Sequence, residues 1–157
     1  MLVSGIIEKK GTEVVAIEYE ASCRSLIALL DSYNIGAAVV VSEGERIIGI
    51  ISERDVVRAI AKHGEVVLGW LVRDLATKAL ITCSPNDNVA HAMQLMTRKR
   101  VRYLVVTDDG SLVGIISIGD IVKHRLKEME FENRVLRDVA GVTNILTRGV
   151  NHSPRAL

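Results

Sequence analysis

The chain has 157 residues, enough for one ordinary domain or two small ones that share a core, and its net charge of +1 gives no global attraction to nucleic acid or to membranes. Hydrophobic residues make up 48% of the chain but aromatic residues only 3%, so the predicted core is aliphatic. No apolar run approaches the roughly 20 residues of a membrane helix, and residues 1–10 lack the apolar stretch of a signal peptide. We therefore expect a cytoplasmic protein.

The first half of the chain alternates strand and helix patterns. The predicted elements are a strand at 13–17, a helix at 22–33, strands at 37–41 and 46–51 around a turn, and a helix from 52 to about 62. The helix at 22–33 has apolar residues at helical spacing, with Cys23, Leu26 and Leu30 among them. The continuous apolar run at 37–41 predicts a strand that is buried on both faces.

The second half repeats this order of elements. The predicted elements are a strand at 79–83, a helix at 88–98, strands at 103–107 and 112–116 around a turn, and a helix from 117 onward. Residues 66–75 are predicted to form a short linking helix, with Trp70 packed between the halves. Beyond Gly141 the apolar pattern weakens, so the tail from Thr143 to Leu157 is predicted to be frayed.

The two halves share the segment Gly-Ile-Ile-Ser-x-x-Asp, at residues 49–55 and again at 114–120. The match has no gap at an offset of 65 residues, and upstream of the turn it continues at an offset of 66. We infer an internal duplication. Neither half alone would bury much core, so we expect an α/β (α+β) fold in which two βαββα repeats pack about a pseudo-twofold axis and leave two equivalent clefts.

This pair of motifs, each at the end of an apolar hairpin, resembles a tandem pair of CBS domains, or Bateman module, of the stand-alone prokaryotic type. The resemblance covers about residues 8–126 and includes the Val-Arg-Asp linker at 72–74 and Ser-Pro-Asn-Asp-Asn at 84–88. It implies a first repeat at 8–65, a linker helix at 66–75, a second repeat at 76–130, and a C-terminal helical extension with a frayed tail at 131–157.

The resemblance also implies an adenosine-containing ligand in one or both clefts, with AMP as the first choice and ADP, ATP, NAD or S-adenosylmethionine as alternatives. In the family, the motif Asp holds the ribose hydroxyls, and the motif Ser with nearby basic groups holds phosphate. The matching positions here are Asp55 and Asp120 for ribose, and Ser52 and Ser117 for phosphate. This fits general chemistry, because a carboxylate accepts from two vicinal hydroxyls and a helix N-terminus attracts anions.

By the same resemblance, each cleft takes its first-strand contacts from the other repeat. The cleft of Asp55 would then have Arg54 nearby and borrow the hydroxyl-bearing segment Thr82, Cys83 and Ser84. The cleft of Asp120 would borrow Ala16, Ile17 and Glu18, and Glu18 is a poor neighbour for phosphate. Gly119 replaces Arg54 there, with Arg102, Lys123 and His124 as the compensating basic residues. The other predicted contacts are Gly36 and Ala37, which would let a flat base approach the backbone, together with Tyr103 and Ile115. We predict that the cleft of Asp55 is the better phosphate site.

The Ser-x-x-Asp spacing has a purely structural explanation as well. A Ser at the start of a helix, followed three residues later by an acidic residue, is close to a capping box, in which Ser52 would cap the helix and Asp55 would reach back to it. Tyr103, at the start of a buried strand, fits a core position or a base-stacking position. The basic run at 98–102 fits a solvated helix end or a phosphate contact.

Other chemistry has little support in the sequence. Cys23 and Cys83 have no neighbours at metal-ligand spacing, the four histidines are scattered, and no P-loop or nucleophile–base pair is visible. We therefore expect no metal, no nucleic-acid partner and no catalysis. The predicted function is that of a regulatory nucleotide sensor, a homodimer that acts on an unidentified protein. The alternative is a structural or scaffolding dimer whose clefts are empty.

Overall fold

In a computed structural model, which describes residues 1–44 and 46–149, the chain forms six helices and six strands plus one 3₁₀ helix. The helices are α1 Val3–Lys10, α2 Cys23–Tyr33, α3 Glu53–His63, α4 Val72–Leu75, α5 Val89–Lys99 and α6 Ile118–Gly149. The strands are β1 Ala16–Glu18, β2 Ala37–Val41, β3 Ile47–Ser52, β4 Thr82–Cys83, β5 Tyr103–Asp108 and β6 Ser111–Ser117, and the 3₁₀ helix is Gly64–Gly69.

Each repeat contains one three-stranded sheet, ordered β1-β2-β3 in the first repeat and β4-β5-β6 in the second. In both sheets the central strand is parallel to the strand before it and antiparallel to the strand after it. Both hairpins have a register shift at corresponding places, after Val40 and after Val106. The predicted mixed α/β fold with two copies of one unit is confirmed.

The core is aliphatic because the central strands are buried along most of their length. All five residues of β2 are buried, as the continuous apolar run predicts. Helix α2 adds Cys23, Leu26 and Leu30 from one face, and α5 adds Val89, Ala92 and Met96. Side chains supply the N-caps of both helices, because Ser22 accepts from Ser25 N and Asn88 from Ala90 N.

Helix α1 is an element that the sequence patterns did not predict. Its buried face consists of Val3, Ile6 and Ile7. Although it precedes the first repeat, it joins the second: Val3 N donates to Asp87 O at 2.9 Å, and Lys10 Nζ donates to Ile115 O at 2.9 Å. The N-terminal segment therefore completes the core of the second repeat.

The linker between the repeats is a 3₁₀ helix followed by the single turn α4. Trp70 packs against the core cluster of the first repeat, and its ring lies 4.9 Å from that of His63. Farther along, Thr77 and Ile50 exchange two backbone hydrogen bonds of 3.0 and 3.1 Å. The linker thus covers the free edge of β3 before the chain enters the second repeat.

The described chain divides into two compact units, residues 1–118 and 119 onward. The second unit is the remainder of α6, which continues to Gly149, so the prediction that fraying begins at Thr143 is wrong for 143–149. One isolated glycine, Gly141, costs only about 1 kcal/mol in a helix, and this is too little to end one. Residues 150–157 of the predicted tail lie outside the described residues. None of the helices described is both long enough and apolar enough to cross a bilayer.

Candidate functional site

A cavity of about 320 Å³ lies within residues 1–118, at the N-terminus of α3. This volume is at the lower end of the range of small-molecule sites, about 300–1,000 Å³. Its aliphatic wall consists of Ile50, Ala79, Ile81, Val101 and Val105. Its polar and aromatic lining consists of Ser52, Glu53, Asp55, Thr77 and Tyr103, together with the cations Arg54, Arg58, Lys99, Arg100 and Arg102. The two repeats contribute to it together.

Ser52 and Asp55 form a capping box at the start of α3. Asp55 Oδ2 accepts from Ser52 N at 2.8 Å and from Ser52 Oγ at 2.9 Å, while Ser52 Oγ accepts from Asp55 N at 3.4 Å. The structural explanation of the motif is therefore correct for the first repeat. It does not exclude ligand binding, because both residues also line the cavity and Asp55 is only half-buried.

Five exposed basic side chains surround the cavity, two from α3 and three from the end of α5 and the residues after it. None of the five forms an ion pair with another residue in 1–44 or 46–149. Two acidic groups, Glu53 and Asp55, share the cavity with them, so the lining has a net charge of +3 (five minus two). Such a cluster of unpaired cations lowers the free energy of a bound anion.

Tyr103 and Gly36 meet across the repeats. A Cβ atom at Gly36 would clash with the Tyr103 hydroxyl, so the missing side chain leaves room for that hydroxyl. Glu53 N donates to Gly36 O at 2.9 Å, which joins the loop before β2 to the start of α3. In the structure the space at Gly36 is thus used by the tyrosine, and neither Gly36 nor Ala37 lines the cavity.

The segment borrowed from the second repeat differs from the prediction. Thr77, Ala79 and Ile81 line the cavity, whereas Thr82, Cys83 and Ser84 do not. The Ile50–Thr77 bridge holds the chain against β3 several residues earlier than expected. Ser84 lies in a local turn, where its N–H donates to Asp87 Oδ2 at 2.8 Å.

Cys83 is a core residue, because only 6% of its surface is exposed. Burial raises the pKa of its thiol to about 11, and the Asp87 carboxylate adds to this shift. Burial also raises the pKa of the Cys23 thiol. Both cysteines are free and buried, so neither presents a thiolate at neutral pH.

The raised pKa of Cys83 predicts a loss of stability at high pH. The unfolded thiol ionises near its ordinary pKa of 9.0 and the folded thiol only near 11, so stability is full below pH 9 and falls as the pH rises toward 11. We expect a loss of about 2 kcal/mol at about pH 10.5 in urea unfolding relative to pH 8. A Cys83→Val variant should lose less over this interval. Equal losses in the two proteins would contradict the assignment.

The remaining predicted site residues lie on several different elements. Arg102 was predicted to serve the cleft of Asp120, whereas the structure places it in the lining of the cavity at Asp55, and Tyr103 lines the same cavity. Ile17 is in the core of the first repeat. Ile115 is half-buried in β6, where its carbonyl accepts from Lys10. Ser117 ends β6 and Asp120 lies in the first turn of α6.

Sequence reasoning missed several lining residues. Arg58 follows Arg54 by four positions, so helical spacing alone places both on one face of α3. Lys99 and Arg100 belong to the basic run at 98–102, for which a phosphate contact was one of two explanations. Thr77 has no such signal, because its position depends on a bridge to another part of the chain. Within the described residues, no group of three or more His, Cys, Asp or Glu side chains is placed to hold a metal ion.

Comparison with known proteins shows to which family this architecture belongs. The CBS domain model matches residues 4–62 and 72–127. A CBS-domain containing protein from Agrobacterium tumefaciens is 36% identical, and its crystal structure has a TM-score of 0.77, covering 79% of this chain and 92% of that one. A CBS domain protein from Pyrobaculum aerophilum, crystallised with AMP, is 28% identical with a TM-score of 0.67, covering 76% of this chain and 89% of that one.

A curated relative is similar as well. A mitochondrial CBS domain-containing protein of Arabidopsis thaliana, CBSX3, is 42% identical over 98 residues, which are 60% of this chain and 48% of that protein. The chain spans about half the length, 46–48%, of this and two further curated relatives. Two matches to one domain model, on two sheets of the same topology, identify the molecule: the chain belongs to the CBS domain family and carries a tandem pair of the domain.

Proposed function

We propose that this CBS pair is a regulatory module that binds an adenosine-containing nucleotide in the cavity at Asp55. AMP is the first candidate, with ADP, ATP, NAD and S-adenosylmethionine as alternatives. The observation that carries the proposal is the composition of the cavity: an aliphatic wall beside one half-buried carboxylate, with five cations around it that form no ion pair within the described residues. The AMP complex of the Pyrobaculum aerophilum protein, which is 28% identical, supports the choice of ligand.

Each part of the nucleotide has a matching part of the cavity. The aliphatic wall and Tyr103 provide a flat apolar surface for a base. Both hydrogen bonds that Asp55 accepts from Ser52 end on Oδ2, which leaves Oδ1 to accept from ribose hydroxyls. The N-terminus of α3 and the nearby arginines attract phosphate. The same Ser52 and Asp55 also form the capping box of α3.

The proposal includes a preference for the first motif as a phosphate site. By the alignment of the repeats, the five cations Arg54, Arg58, Lys99, Arg100 and Arg102 correspond to Gly119, Lys123, Tyr33, Asn34 and Gly36. The left-handed backbone shared by Arg100 (φ 55°) and Asn34 (φ 51°) supports this alignment. Four of the five cations thus have no basic counterpart. A di- or triphosphate gains more from such a cluster than a neutral or zwitterionic ligand does.

The module acts through a protein partner. We propose that it has no catalytic activity of its own, that it works in the cytoplasm as a homodimer, and that ligand binding changes its contact with a regulated protein. A scaffolding dimer with empty clefts is the second candidate, since the capping box explains Ser52 and Asp55 without any ligand.

A thermal-shift panel separates the two candidates. AMP, ADP, ATP, NAD and S-adenosylmethionine are each added to the protein at millimolar concentration. A ligand present at about 100 times its Kd stabilises the folded state by about 2.7 kcal/mol, which raises the Tm by roughly 5–10 °C for a chain of this size. We expect such a shift with at least one nucleotide. Flat melting curves across the panel would reject the sensor and favour the scaffold.

A further inference from the structure

Helix α6 extends well beyond the end of the second CBS domain. The second match to the CBS domain model ends at residue 127, but the helix continues to Gly149. Every residue from Met129 to Leu146 is exposed, including eight large apolar side chains. In proteins most of the stability of a helix comes from the packing of its apolar face, and these exposed apolar side chains have no such packing within the described chain. We therefore expect the exposed part of α6 to pack against another protein segment.

The apolar side chains in the first part of α6 repeat with a heptad period. Val122, Met129 and Leu136 are seven residues apart, and Leu126 lies four residues after the first of them. In heptad notation these three are d positions and Leu126 is an a position, with Asn133 and Ala140 at the next two a positions. The four large apolar side chains are 50–66% exposed, so the seam is free to pack against another helix.

The residues that flank this seam are complementary to a second copy of the same helix. In a parallel pair, a g residue of one helix faces the e residue five positions later on the other. The g residues Arg125 and Glu132 would thus face Glu130 and Arg137, and each of these pairs combines opposite charges. Asn133, at an a position, is the polar residue that specifies two strands in register, since two Asn side chains can hydrogen-bond to each other there.

We propose that α6 pairs with α6 of a second copy as a parallel, in-register two-stranded coiled coil over residues 122–140. The proposed occupant of the exposed seam is an identical helix because both g–e pairs combine opposite charges when two copies of this helix are parallel and in register. Arg125 already contacts Glu128 of its own helix at 3.0 Å, and in the dimer it also reaches Glu130 of the other copy. The apolar side chain of Val139, at a g position, widens the seam toward its C-terminal end. Phe131 and Ile145 lie on the outer face and are not covered by this pairing.

The oligomeric state of the full chain tests the proposal. Light scattering after size exclusion should give a dimer for the wild type and a monomer for the double variant Met129→Glu, Leu136→Glu. The matched control Phe131→Glu adds the same charge on the outer face and should stay dimeric. Both changes are at exposed positions, and a nucleotide-free melting curve checks that the repeats are still folded. A monomeric wild type, or a double variant that stays dimeric, would overturn the proposal.

Cysteine cross-linking tests the orientation of the two helices. The two native cysteines are buried, so new disulfides come from the introduced residue. In the parallel register, Met129→Cys and Leu136→Cys, made separately, should each form a disulfide-linked dimer under mild oxidation, whereas Phe131→Cys should not. An antiparallel pair can place at most one of the two seam positions opposite itself, so efficient cross-linking at only one of them would contradict the parallel arrangement.

A charge swap tests the register. Glu132→Arg places like charges at two symmetry-related g–e pairs and should weaken dimerisation by roughly tenfold. Adding Arg137→Glu restores opposite charges and should return the dissociation constant to near its wild-type value. If the second change fails to rescue the first, Glu132 and Arg137 do not face each other, and the proposed register is wrong.

Discussion

The Asp55→Ala variant should bind the preferred nucleotide roughly 10- to 100-fold more weakly than the wild type, as measured by isothermal titration calorimetry. A hydrogen bond to a charged group contributes about 1.5–3 kcal/mol. Among the described residues, two carboxylates line the cavity, those of Asp55 and Glu53, and the substitution removes the first. The substitution also removes half of the capping box on α3. We therefore expect the Tm without ligand to fall too, through a loss of about 1 kcal/mol.

Asp120→Ala is the matched control for this experiment, because it removes the corresponding carboxylate of the second motif. Its effect on affinity should be smaller, since four of the five cations at the first motif have no basic counterpart in the alignment of the repeats. Asp55→Asn separates the two roles of the carboxylate further: an amide oxygen still caps a helix, but it carries no charge. A larger loss of affinity for Asp120→Ala than for Asp55→Ala would overturn the preference for the first motif.

Much of the fold was predictable because the duplication presents each hydrophobic pattern of strands and helices twice in the sequence. The apolar run of β2 and the apolar faces of α2 and α5 are strong signals, and their bounds were predicted to within one residue. The short elements were harder. Strand β4 has only two residues, and α1 has eight with no side-chain cap, so neither has a periodicity that stands out from its surroundings.

The site was predictable in its motif but not in its walls. Ser52, Arg54 and Asp55 share one turn of helix, so local spacing was sufficient to group them. The opposite wall depends on which part of the linker reaches β3, and the bridge from Thr77 to Ile50 is a contact between segments that no local pattern encodes. Arg102 has the same limitation: the sequence predicted it at the cleft of Asp120, and only the tertiary packing places it in the lining of the cavity at Asp55.

The glycines of the repeated motif should respond differently to the same substitution. Gly49→Ala is expected to destabilise the protein by about 2 kcal/mol, and Gly114→Ala by less than about 1 kcal/mol. A Cβ atom at Gly49 would lie 2.8 Å from the backbone oxygen of Thr77, whereas one at Gly114 would lie 2.8 Å from Cδ1 of Ile7. A side-chain tip can rotate away, but Thr77 is held by its two hydrogen bonds to Ile50.

Chemical denaturation of the two variants measures the difference in their free energies of unfolding. Each variant is the control for the other, because both place one methyl group at a buried strand position in the same motif. Since Thr77 also lines the cavity, displacing its backbone should weaken nucleotide binding in Gly49→Ala but not in Gly114→Ala. Equal losses of stability would mean that the linker yields as easily as the Ile7 side chain. In that case the bridge between Thr77 and Ile50 would not be the rigid contact that joins the cavity walls.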